Sequence, residues 1–147
     1  MRNIYFDVDA TLISVQGLHL RPHAREVIAR LRAHGLRVYL WSAMGDWYAK
    51  NAAIKHGLEC DGFFSKPADR DDWTLEPHLP EPHFAFDDCE ERFIETFDGL
   101  IVRPYYDPDP NDDELLRVLD WIEVHPSVRE LIVASDADAH QPRSVPP

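Results

Sequence analysis

Apolar residues along this chain alternate between two patterns. Short apolar runs occur at residues 3–7 (Asn-Ile-Tyr-Phe-Asp), 36–41 (Leu-Arg-Val-Tyr-Leu-Trp), 60–65 (Cys-Asp-Gly-Phe-Phe-Ser), 83–86 (His-Phe-Ala-Phe) and 99–103 (Gly-Leu-Ile-Val-Arg). Their length and aromatic and aliphatic content predict strands. Between them the apolar period lengthens. Ala24, Val27, Ile28 and Leu31 repeat at helical spacing, with Pro22 suited to the first turn and Gly35 to the stop. Asp46 can cap a helix reaching about His56, closed by Gly57. A short helix is expected around Glu90–Phe97. Leu115, Leu116, Leu119 and Ile122 supply the apolar face of another, and Asn111 with Glu114 has capping-box spacing. Residues 67–82 carry four prolines and predict mostly loop, and beyond about Ala134 the chain turns polar. One domain over residues 1–134 and a tail over 135–147 are therefore expected, with no internal repeat.

Strand–helix alternation with helix-length crossovers predicts an α/β fold. The expected form is a single Rossmann-like domain whose five-stranded sheet is mainly parallel, with helices on both faces. Such sheets bind ligands beyond the carboxyl ends of their strands. Four of the five runs end in polar or charged residues: Asp7, Ser42, Lys66 and the pair Asp87-Asp88. Parallel strands would bring all four to one rim.

Composition narrows the partners. The chain has 147 residues, 44% hydrophobic and 29% charged, which excludes wholesale disorder. Its net charge of −12 repels nucleic acid and anionic membrane at long range, while a local cation such as Lys66 still admits an anionic substrate. Two cysteines, Cys60 and Cys89, exclude a disulfide framework and a four-cysteine zinc site. No apolar run approaches the roughly 20 residues that span a bilayer. The first residues lack the apolar stretch of a signal peptide, so a cytoplasmic location is expected.

Asp7, Asp9, Asp87 and Asp88 on one rim would need a cation. Oxygen-only ligands favour a hard ion, and Mg²⁺ suits a few carboxylates with waters and a phosphate. Lys66 could hold a phosphate oxygen, and the Ser42 hydroxyl could donate to another. A carboxylate can attack phosphorus to give an acyl phosphate, and phosphoryl transfer depends mainly on positioning and charge neutralisation.

These residues resemble the haloacid dehalogenase superfamily of phosphohydrolases. Its Asp-x-Asp-x-Thr motif is matched by Asp7-Val8-Asp9-Ala10-Thr11 after an apolar strand, with Ala10 where glycine is commoner. Its second motif is matched by the strand ending at Ser42, its third by Lys66, and its fourth by the strand ending at Asp87-Asp88. The resemblance implies Asp7 as nucleophile and Asp9 as general acid, then base. It implies Ser42 and Lys66 as phosphate-binding residues. Mg²⁺ would lie on the Asp7 carboxylate, the Asp9 backbone carbonyl, and Asp87 or Asp88. Ala10 should cost little there unless the position requires a positive φ.

Leu20-Arg21-Pro22-His23, Trp41-Ser42-Ala43 with Tyr48-Ala49, and residues 106–116 are similar to the small phosphatases acting on the RNA polymerase C-terminal domain. The chain departs from them at Asp87-Asp88, where they usually have Asp-Asn, and in the short interval from Ser42 to Lys66. The intervals after Asp7 and Ser42 are too short for a cap domain, so an open site is expected.

The expected function is hydrolysis of phosphomonoesters, on a phosphorylated small molecule or a phosphoprotein, through an aspartyl-phosphate. The same residues suit a catalytically weak module that binds Mg²⁺ and a phospho-ligand. A receiver domain fits less well, because its acidic pair and acceptor Asp occupy other strands. Thr11 is expected to be a turn residue or to bond backbone, and Cys89 to be a buried, inert thiol. Trp41, Trp47 and Tyr48 are expected in core or pocket wall, and Asp107, Asp109, Asp112 and Asp113 in a solvated loop. His78 and His83 lack convincing zinc-ligand spacing.

Overall fold

Five short apolar segments have the period that turns successive side chains to opposite faces of a sheet. In the computed structural model, which describes residues 1–67, 78–89 and 97–139, these form β1 (Asn3–Asp7), β2 (Arg37–Ser42), β3 (Gly62–Ser65), β4 (Phe84–Asp87) and β5 (Gly99–Ile101). They make one sheet in the order β3-β2-β1-β4-β5, with every neighbouring pair parallel. The chain runs outward from β1 to β3, then resumes on the other side of β1 with β4. The boundary between β1 and β4 is thus the topological switch point, where open α/β sheets form their ligand crevice.

Four helices are described: α1 (Ala24–Ala33), α2 (Asp46–His56), α3 (Glu114–Val124) and α4 (Pro126–Ala139). All four contribute to one core cluster with Ile4, Phe6, Val38, Leu40, Phe84 and Phe86 of the sheet. Each large aliphatic or aromatic side chain removed from water there contributes about 1.5–3 kcal/mol. The residues that alternate with these, Tyr5, Tyr39, Trp41 and Ala85, form a second cluster with Phe97, Phe64 and Leu79. Tyr5 lies 5.1 Å from Tyr39 and 4.6 Å from Trp41 between ring centroids, and its hydroxyl donates to the Pro80 carbonyl at 2.6 Å. Residues 90–96 of the helix expected around Glu90–Phe97 and residues 68–77 of the loop expected at 67–82 lie outside the described residues.

Local signals placed the elements well, with instructive differences at their ends. Gly57 adopts the left-handed conformation and closes α2. Pro22 does not enter the first turn of α1, because His23 at φ 68° precedes that helix. The Asn111–Glu114 capping box does not form. Instead Asp112 Oδ1 accepts the Glu114 amide, and the Glu114 carboxylate accepts the Arg103 amide and the Arg117 guanidinium. Helix α4 is not predicted by the apolar spacing, and it runs past the domain boundary expected at 134 through residues 135–139, exposed at each; residues 140–147 lie outside the described residues. At the start of β5 only glycine fits: a Cβ on Gly99 would lie 1.9 Å from the Ala85 carbonyl oxygen.

Between Ser42 and Lys66 the chain holds only α2 and β3, leaving no room for a cap. Among the described residues no helix is long and apolar enough to cross a membrane.

Candidate active site

The parallel register carries the polar strand ends to one rim. Asp7 is paired with Trp41, one residue before Ser42, and Ser42 is paired with Ser65, one residue before Lys66. Across the switch point Phe6 is paired with Phe86, so Asp7 and Asp87 are the next residues of adjacent strands. Lys66 closes the set. Its Nζ donates to Asp7 Oδ1 and to Asp87 Oδ2, at 2.6 Å each. Its amide donates to the Ser42 carbonyl at 2.9 Å, which binds the base of this side chain to the end of β2.

Three carboxylates, Asp7, Asp87 and Asp88, crowd around this ammonium. Burial pushes the Asp7 carboxyl up to about 7; Lys66 opposes the rise, while Asp87 and Asp88 add to it. Asp88 is also raised, by burial and then by Asp87. Burial works against the Lys66 ammonium, but Asp7 and Asp87 outweigh it and hold Lys66 above its ordinary range. One ammonium therefore balances a cluster of excess negative charge. Such a set suits a divalent cation, and ligand atoms of Asp87, Asp88 and Cys89 lie within 4.8 Å of one another. The donors that suit Mg²⁺ are the carboxylates; a thiol is too soft.

Asp9 does not join the carboxylate cluster through its side chain. Its Oδ1 accepts a 2.6 Å hydrogen bond from the Tyr48 hydroxyl. Burial and the adjacent Asp9 push the Tyr48 phenol up to about 12, so it remains the donor. Thr11 sits in a turn, as expected, and its hydroxyl donates to Asp7 Oδ2 at 3.2 Å and lies 3.5 Å from Asp88 Oδ1. Ser42 is buried, and its Oγ accepts the Met44 amide at 3.0 Å. A hydroxyl that accepts in this way retains its proton for an anion.

The loop after Asp7 is held under strain. Ala10 has φ 58°, so this position does demand the left-handed region, and alanine is less suited to it than glycine. Its conformation is imposed by hydrogen bonds from the Ala10 amide to the Ile13 carbonyl and from the Tyr105 amide to the Ala10 carbonyl, both 2.8 Å.

A buried ion pair that sequence reasoning missed fastens the same loop. Arg21, 1% exposed, donates from Nε to Asp112 Oδ1 at 2.7 Å and from Nη2 to Asp112 Oδ2 at 2.9 Å. Its remaining donors reach the carbonyls of Thr11 and Arg103. Asp112 is thus buried rather than solvated, and only the Arg-Pro string before α1 hinted at a special role for Arg21. Cys89 is exposed rather than buried, with its amide donating to Asp87 Oδ1. Trp41 is core; Trp47 and Tyr48 form a wall beside the rim. His83 Nδ1 accepts the Asn3 amide, a structural use of that ring.

No protein-family model matches this chain, and no curated protein matches it.

Proposed function

We propose that this protein is a Mg²⁺-dependent phosphomonoester hydrolase of haloacid dehalogenase type that works through an aspartyl-phosphate on Asp7. The observation that carries the reading is the Lys66 ammonium shared between the buried carboxylates of Asp7 and Asp87, at the ends of adjacent parallel strands. The fit of the carboxylate cluster to a hard divalent ion supports it. Asp7, Asp87 and Asp88, with the Asp9 carbonyl, would hold Mg²⁺, which would supply charge neutralisation for the transferring phosphoryl group.

An Asp7 carboxylate oxygen attacks phosphorus, and the bond from phosphorus to the leaving oxygen breaks. That oxygen takes a proton from Asp9, whose Oδ1 is fixed by Tyr48 so that Oδ2 carries the proton. Asp9 then takes a proton from water as the water oxygen attacks phosphorus. Phosphate leaves and Asp7 is restored. Lys66 and Ser42 bind the phosphoryl oxygens, and Thr11 orients the nucleophile.

The test is turnover of phenyl phosphate with and without Mg²⁺, on the native chain and on Asp7→Asn. Metal-dependent turnover that falls to background in the folded variant is expected. Mg²⁺ binding with no turnover by the native chain would instead make the protein a binding module, and near-native activity in Asp7→Asn would exclude this nucleophile.

A further inference from the structure

Beside Asp9 lies a groove of 280 Å³ between the loop that follows β1 and one face of α2. Its walls include Ile13, Gly17, Trp47, Tyr48, Asn51 and Lys55. Two contacts join the groove to the candidate chemistry. Tyr48, one of its walls, donates to Asp9 Oδ1, and Ile13, another, forms a β-bridge with Asp9.

The far end lies at Lys55. Lys55 Nζ and His56 Nε2 both donate to the Gly17 carbonyl, at 3.0 and 2.9 Å, and pin the loop to the last turn of α2. The end at Tyr48 carries two perpendicular aromatic rings, Trp47 and Tyr48, with centroids 6.1 Å apart. Trp47 is 61% exposed, a large aromatic surface facing water next to Tyr48, the hydrogen-bond partner of Asp9.

We propose that this groove receives the leaving group of the substrate, and that the leaving group is a flat aromatic alcohol; this inference rests on the phosphatase reading above. Protonation of the leaving oxygen by Asp9 places the attached group on the Asp9 side of the phosphoryl site, where the groove begins. Its size suits more than one ring, since an apolar cavity of about 150 Å³ holds benzene. Most of its wall surface is apolar, from Ile13, Trp47, Tyr48 and Ala52; the polar walls are Gln16, Asn51 and Lys55, and Lys55 spends one of its three donors on Gly17. A sugar would bring several hydroxyls to few partners, and each unsatisfied one carries a desolvation cost. A second aromatic ring removes apolar surface from water at little such cost.

The test compares kcat/KM for 2-naphthyl phosphate, phenyl phosphate and glucose 6-phosphate. The two aryl esters have leaving groups of similar acidity, so their ratio reports the groove rather than intrinsic reactivity. A naphthyl preference of about tenfold over phenyl is expected, the scale of a modest apolar contact, carried mainly by KM. In Trp47→Ala, which removes a wall, and in Asn51→Phe, which fills the groove, that ratio should fall toward one. Ile54→Ala, on the same helix but outside the groove, should leave the ratio unchanged. Glucose 6-phosphate should be the poorest of the three. Phenyl phosphate turnover with equal rates on both aryl esters, or a ratio indifferent to Trp47→Ala and Asn51→Phe, would overturn this inference alone. Preference for glucose 6-phosphate would assign the groove to a sugar and overturn it as well. Absence of turnover on every ester would remove the phosphatase reading itself.

Discussion

Alanine at position 10 sits at φ 58° with its methyl group buried, and the two facts oppose each other. Left-handed backbone costs a non-glycine residue about 1–2 kcal/mol. Replacing it with glycine relieves that, but forfeits about 0.8 kcal/mol of methyl burial and about 0.4–1 kcal/mol through a freer unfolded chain. Ala10→Gly should therefore change stability by less than about 1 kcal/mol. Ala10→Val adds β-branching and overpacking at the same φ, and should cost more than about 2 kcal/mol; urea unfolding of the three proteins measures both. Tyr48 offers a kinetic test at the same scale. Tyr48→Phe keeps the ring but removes the hydrogen bond to Asp9, so turnover of alkyl phosphates should fall about tenfold, part of the 10²–10⁴ that acid–base catalysis supplies. A nitrophenyl ester, whose leaving group needs little protonation, should be nearly unaffected. An equal loss on both esters would mean that Tyr48 acts on structure and not through Asp9.

Among elements, the buried Arg21–Asp112 pair joins the loop after β1 to the start of α3. Removing one partner of such a pair leaves an uncompensated buried charge, typically worth 3–5 kcal/mol. Asp112→Ala should lose stability on that scale. Burial pushes the Asp112 carboxyl up, but hydrogen bonds and charge from Arg21 outweigh it, and the net shift is below the ordinary value of 3.8. A depressed carboxyl contributes stability that is present above the unfolded value and lost as pH falls through the folded one. The native protein should therefore lose part of its melting temperature below about pH 4 that Asp112→Ala has already lost at neutral pH. Parallel acid-side melting curves would contradict this role for the pair.

For the molecule as a whole, the proposed Mg²⁺ site would set metal against proton at Asp7. Its folded value is raised to about 7 from 3.8, so without metal the folded state binds more protons than the unfolded chain between these values. This group's contribution to stability thus falls as pH rises from about 4 to 7. Mg²⁺ held as proposed would need the ionised carboxylate, so its binding would release the proton and strengthen as pH rises. At a fixed millimolar Mg²⁺ concentration the rise in melting temperature should be larger at pH 8 than at pH 6, and chelation should reverse it at both. A Mg²⁺ effect independent of pH would separate the metal from Asp7.

Sequence alone placed the five strands and α1, α2 and α3 approximately, because apolar period and glycine stops are local properties of the chain, but it did not mark α4 or the starts of α1 and α3. Parallel strands have a direction, so their sequence order alone assigns the strand-end residues to one rim. Tertiary structure decided what those residues do to one another. That Lys66 lies between Asp7 and Asp87 follows from β4 pairing with β1 while β3 stands two strands away, an order that local pattern does not encode. Arg21 finds Asp112 across 91 residues, and Tyr48 finds Asp9 across 39. No periodicity marks such partners, since a buried charge or hydroxyl is matched by whatever the fold brings opposite it. The strain at Ala10 has the same origin: hydrogen bonds to Ile13 and Tyr105, not the alanine itself, demand the positive φ.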